Sequence, residues 1–114
     1  MKTVEKATYS YSKVYKACEL VKAIDITCKH KIEHFTIASH IKDVTEECCK
    51  LTGCLLFDYT WNFAAQEYFK AAYNHENYTK KQLDSMAKTA LRYLQNELNG
   101  ILTLMKAGEV NSID

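Results

Sequence analysis

The chain of 114 residues contains no proline and only three glycines, Gly53, Gly100 and Gly108. Glycine and proline punctuate turns and hairpins. An all-β domain needs such a signal about every 8–12 residues, and three glycines cannot provide it. A few long helices with short connections are the arrangement this composition allows. The hydrophobic spacing has the period that such helices require.

Four apolar stripes advance by alternating steps of three and four. The first is Val4, Ala7, Tyr11, Val14, Cys18, Val21 and Cys28, widened by Ala17, Leu20 and Ile24, with one slot missed at Asp25. It predicts a helix over about 3–28, with Lys6, Lys13, Lys16 and Lys22 facing water. Cys28-Lys29-His30-Lys31 reads as a tight connection. The second stripe, His34, Ile37, Ile41, Val44, Cys48 and Leu51, should stop near Thr52-Gly53, because glycine suits the left-handed residue that follows a helix. The third is Phe57, Trp61, Ala64, Tyr68 and Ala71, with Leu55, Phe63, Phe69 and Ala72 beside it. The polar run 74–78 is a loop. Thr79-Lys80-Lys81-Gln82 then forms a capping box, in which threonine and glutamine each satisfy the other's backbone N–H. The fourth stripe is Leu83, Ala87, Leu91, Leu94, Leu98, Ile101 and Met105. Gly100 within it costs about 1 kcal/mol relative to alanine and is a candidate bend. Gly108 ends this helix, and the tail from about 108 to 114 is expected to fray.

Short connections make consecutive helices antiparallel neighbours, so the expected fold is all-α: one domain over 1–114, an up-down-up-down four-helix bundle. The alternative merges the second and third helices through Gly53 into one long rod. That version leaves a broad apolar face exposed and favours a dimer.

Charge narrows the function. The net charge is +1, without the bulk basicity of a nucleic-acid binder. Residues 1–31 carry seven lysines against Glu5, Glu19 and Asp25, while residues 32–58 carry Lys42 and Lys50 against five acids. Attraction between neighbouring helices is the simplest use of that asymmetry. The five cysteines are an odd set, and Met1–Glu5 opens no apolar signal region, so a reducing, cytoplasmic setting is expected. No apolar run approaches the 18 residues a membrane span requires.

Three constellations are candidates for function, none of them catalytic. The antiparallel order brings the end of the first helix, the start of the second and the loop after the third to one pole. Cys28, His30, His34 and His75 belong to that pole, and one thiolate with three imidazoles is an acceptable zinc set. Lys13, Lys16, Lys81, Lys88 and Arg92, on the first and fourth helices, offer phosphate contacts beside tyrosines that can stack on bases. Tyr9, Tyr15, Tyr59, Tyr73 and Tyr93 exceed what a small bundle can bury, and tyrosine is enriched at interface hot spots.

Other chemistry is weaker. Cys48 lies on a core stripe, and Cys54 gains only a nearby helix start, short of what a nucleophile needs. Glu46-Glu47 resembles the paired glutamates of helical nucleotide pyrophosphohydrolases, but Lys50 stands where a further acid is required. The expected function is therefore a non-enzymatic binding module, an adaptor, inhibitor or regulatory subunit, capable of self-association. Nucleic-acid association and metal binding are the alternatives, and no cofactor other than zinc is expected. The lysine- and tyrosine-rich usage with a single arginine points to an AT-rich genome such as that of a phage or mobile element.

Overall fold

The computed structural model describes residues 8–52, 60–108 and 111–113. Four helices carry the fold: α1 (Tyr11–Lys22), α2 (His34–Thr52), α3 (Thr60–Tyr73) and α4 (Lys80–Lys106). Each packs on its neighbours in the cyclic order α1, α2, α3, α4 and back to α1. That is a four-helix bundle. Because α2 and α3 are separate helices that lie against one another, the merged rod does not form. Val4, Ala7, Gly53, Cys54, Phe57 and Tyr59, and the Trp61 side chain, lie outside the described residues.

The stripes become the core. Val14, Ala17 and Val21 of α1 meet Ile37, Ile41, Val44 and Cys48 of α2, Ala65, Tyr68 and Ala72 of α3, and Leu94, Leu98 and Ile101 of α4. Burying each of the valine, leucine and isoleucine side chains among them stabilises the fold by roughly 1.5–3 kcal/mol. Thr52 is also buried, and its hydroxyl donates to the Cys48 carbonyl at 2.8 Å, so no polar atom is orphaned there. Phe63, expected beside the third stripe, instead stands 73 % exposed.

Helix α1 is much shorter than its periodicity suggests, for local reasons at both ends. Ser10 is the N-cap and accepts from the Lys13 N–H. At the other end, the Asp25 carboxylate takes the Thr27 N–H at 2.8 Å and also its hydroxyl. That Asx turn offers the backbone an alternative to the helix. The chain therefore leaves the helix at Ala23 and runs without regular structure from 24 to 28, with Ile24 still buried. The slot missed at Asp25 marks the place. The link to α2 is thus longer than the tight turn expected at 28–31, and closes with a 3-10 turn over Lys31–Glu33.

Helix α4 follows its sequence signals closely. Thr79 accepts from the Gln82 N–H at 3.1 Å, and the Gln82 side chain accepts from the Thr79 N–H at 2.8 Å. The helix runs without interruption through Gly100. Gly108 adopts φ +73°, and its N–H reaches the Met105 carbonyl at 3.2 Å, which is half of a Schellman closure. Within the tail that was expected to fray, the described residues are 111–113. Asn111–Ile113 forms a short strand, β2, paired in parallel with β1 (Thr8–Ser10) in the register Thr8 to Asn111. The parallel sense follows from the bundle. α1 and α4 are antiparallel, so a chain that doubles back after α4 runs in the direction of the segment entering α1.

Candidate functional site

The pole where the 24–30 link, α2, α3 and α4 converge holds one polar cluster. His34 opens α2 and is completely buried. Its Nε2 lies 2.8 Å from Asp84 Oδ1 of α4 and 3.5 Å from Cys28 Sγ. Its Nδ1 lies 2.7 Å from the Tyr68 hydroxyl of α3, and the two rings meet edge-on at 5.7 Å. The Cys28 thiol donates to Asp84 Oδ1 at 3.8 Å, and Lys80 Nζ donates to Asp84 Oδ2 at 2.7 Å.

The Lys80 hydrogen bond, supported by the His34 N–H, holds the Asp84 carboxyl below its usual range against the opposing effect of partial burial. Asp84 is therefore an acceptor only, and His34 Nε2 carries the proton between them. Burial pushes the Tyr68 hydroxyl far above the ordinary tyrosine range, so it remains protonated beside Nδ1, where a hydroxyl can donate or accept. Burial also raises the Cys28 thiol, opposed by Lys80. Cys28 and Asp84 line a cleft of about 310 Å³ together with Ile26, Thr27, Lys80 and Lys88.

Of the expected zinc set, Cys28 and His34 come together and His30 and His75 do not. The grouped metal-binding atoms among the described residues are those of Cys28, His34 and Asp84. His30 is exposed at the start of the 3-10 turn, where its N–H and that of Lys29 both donate to the Glu33 carboxylate at 2.8 Å. His75 lies in the link before α4, its buried Nδ1 3.9 Å from a Glu76 carboxylate oxygen and without a hydrogen-bond partner among the described residues. Asp84 was hidden from periodicity because it sits beside the apolar stripe, one residue after Leu83. Its four-residue offset from Lys80 was the visible signal for an ion pair.

The basic residues do not form one surface. Lys13, Lys16, Lys81, Lys88 and Arg92 are all exposed. However, Cys18, Val21 and Lys22 at the end of α1 share a pocket with Gln95, Leu98 and Asn99, and the link beyond, at Ile26, Thr27 and Cys28, meets Lys80, Asp84 and Lys88, so the two helices run antiparallel and the start of α1 lies towards the end of α4. Lys13 and Lys16 therefore lie several turns from Lys81, Lys88 and Arg92. The Arg92 guanidinium stacks over Tyr93 at 5.7 Å. Glu46 and Glu47 are exposed on α2.

The tyrosines separate by environment. Tyr9 is buried on β1, contrary to its expected place on a binding surface, because the strand pairing draws it into the core. Tyr93 is half-buried, Tyr15 is exposed and stacked on Tyr11 at 6.1 Å, and Tyr59 lies outside the described residues. Tyr73, at the end of α3, packs edge-on against Phe35 at 5.2 Å. Phe35 is 52 % exposed and Tyr73 42 %, and Ile32, one turn before Phe35, is 61 % exposed. Phe35 and Ile32 escaped the sequence reading because they lie off the inward stripe.

No helix among the described residues is long and apolar enough to cross a membrane. Comparison with protein-family models, curated proteins and solved structures finds no match to this chain.

Proposed function

We propose that this chain is a non-enzymatic binding module that engages a different protein through the corner formed by Ile32, Phe35 and Tyr73. The observation that carries the reading is the Phe35–Tyr73 pair: two rings locked edge-on at 5.2 Å and both left about half exposed. Rings held against each other at the ends of two packed helices lose little side-chain freedom on binding, and such aromatic anchors dominate interface energetics.

Area selects the kind of partner. Phe35, Tyr73 and Ile32, each about half exposed, offer about 100 Å² apiece, so the corner presents about 300 Å² of apolar surface. A standard interface buries about 800 Å² per partner. The corner therefore suits an anchor that enters an apolar pocket on another protein, rimmed by polar contacts, better than the whole face of a stable homodimer.

The test compares the wild-type chain with Phe35→Ala/Tyr73→Ala by sedimentation and by co-purification. The expected result is a monomer whose co-purifying protein is lost in the variant, with melting temperature changed by only a few degrees. A wild-type dimer dissociated by the variant would replace this reading with self-association. A partner retained equally by both chains would sink it.

A further inference from the structure

We infer that Cys28, His34 and Asp84 form a binding site for a single zinc ion. The three donor atoms come from the 24–30 link, the first residue of α2 and the second turn of α4, so tertiary packing alone assembles them. They form a triangle with sides of 3.5 Å (Sγ to Nε2), 3.8 Å (Sγ to Oδ1) and 2.8 Å (Nε2 to Oδ1). Zinc bonds of about 2.3 Å to sulfur and about 2.1 Å to nitrogen and oxygen, set at tetrahedral angles, require edges of about 3.6, 3.6 and 3.4 Å. Two edges already match within about 0.2 Å. The third opens by about 0.6 Å when the ion replaces the His34–Asp84 hydrogen bond, the ring then carrying its proton on Nδ1 and the Cys28 thiol releasing its proton to solvent.

The surrounding residues suit a ligating histidine. A zinc-bound imidazole donates its remote N–H to a fixed acceptor, which orients the ring. Tyr68 stands 2.7 Å from Nδ1 and is buried with it. A hydroxyl both donates and accepts. It can therefore accept a hydrogen bond from Nδ1–H when zinc occupies Nε2. Lys80 binds the other oxygen of Asp84 at 2.7 Å, leaving Oδ1 as the metal-facing atom. The donor set is one sulfur, one imidazole and one carboxylate, which favours zinc over magnesium or calcium. The cleft lined by Cys28 and Asp84 gives the ion an entry path and leaves a fourth position to solvent.

The experiment titrates Zn²⁺, and separately Co²⁺, into chelator-stripped full-length chain in competition with a chromophoric chelator. The expected result is one ion per chain, with a cobalt–thiolate charge-transfer band in the near ultraviolet. Cys28→Ser and Asp84→Asn alter partly exposed side chains, which limits the folding cost. Each should weaken binding at least tenfold, and Cys28→Ser should also abolish the band. His30→Ala/His75→Ala and Cys49→Ser should leave both unchanged. Absence of binding, affinity insensitive to Cys28→Ser and Asp84→Asn, or loss of the band in Cys49→Ser would each overturn the assignment. The result is independent of the aromatic corner, whose variant keeps all three ligands.

Discussion

Tyr68→Phe removes one oxygen from the centre of the bundle and nothing else. The ring stays, so its edge-on packing against His34 survives, and no aliphatic contact is lost. What disappears is the 2.7 Å hydrogen bond to His34 Nδ1. Both residues are completely buried, so water does not readily replace the hydroxyl. Leaving a buried nitrogen unsatisfied costs about 1–3 kcal/mol, more than the roughly 1 kcal/mol net value of an ordinary hydrogen bond. A loss of about 2 kcal/mol is therefore expected. With a urea dependence of about 1–2 kcal/mol/M for a domain of this size, the unfolding midpoint should fall by about 1–2 M. The measurement belongs in excess chelator, because a bound ion would add its own stabilisation. The His34→Leu background supplies the control: with no nitrogen to strand, the same Tyr68→Phe change should cost almost nothing, and the cycle should show a coupling of about 1–2 kcal/mol. A midpoint shift below about 0.3 M at unchanged slope, or an equal cost in both backgrounds, would refute the view that Tyr68 serves the histidine.

The remaining predictions concern other parts of the molecule. Gly100 lies within α4 with open space where a Cβ would go, so Gly100→Ala should stabilise by about 0.5–1 kcal/mol and raise the melting temperature by a few degrees. Cys48 is fully buried, donates to the Ala17 carbonyl, and is pushed up to about 12 mainly by that burial. Site-resolved alkylation at pH 8 should therefore modify Cys28 and Cys49 in the native state and Cys48 only after unfolding. The Asp25 carboxyl is held below its usual range by the hydrogen bonds from Thr27. A depressed folded-state pKa contributes stability that is complete above the unfolded value of about 3.9 and disappears as pH falls through the lower folded value. Acid titrations of stability should accordingly show the wild-type advantage over Asp25→Asn shrinking across that interval, and an advantage that grows with acidification would contradict the Asx turn.

Much of the bundle was legible because helix burial repeats every three to four residues and each position reports it separately. Leu83, Ala87, Leu94, Leu98, Ile101 and Met105 are all buried as their spacing implies. The capping box at Thr79 and the reversal at Gly108 were equally local, resting on hydrogen bonds within four residues and on one backbone angle. The end of α1 was harder to read. The apolar period continues through Ile24 towards Cys28, while the Asp25–Thr27 turn competes over only three residues. The β1–β2 pairing could not be read at all, since its partners lie about a hundred residues apart and carry no alternating pattern.

The lack of proline, the scarce glycines and the four stripes by themselves determined an α-helical bundle and the inward face of most of its helices, because propensity and amphipathic period act over a few neighbouring residues. The polar cluster was decided elsewhere. The sequence placed Cys28 and His34 at one pole, but with His30 and His75 as companions. Packing of α2 against α3 and α4 instead assigned Tyr68 and Asp84 to the two nitrogens of His34. A buried imidazole must satisfy both nitrogens, and which groups can reach it depends on helix rotation and vertical offset. Those quantities belong to the assembled bundle, and no single helix encodes them.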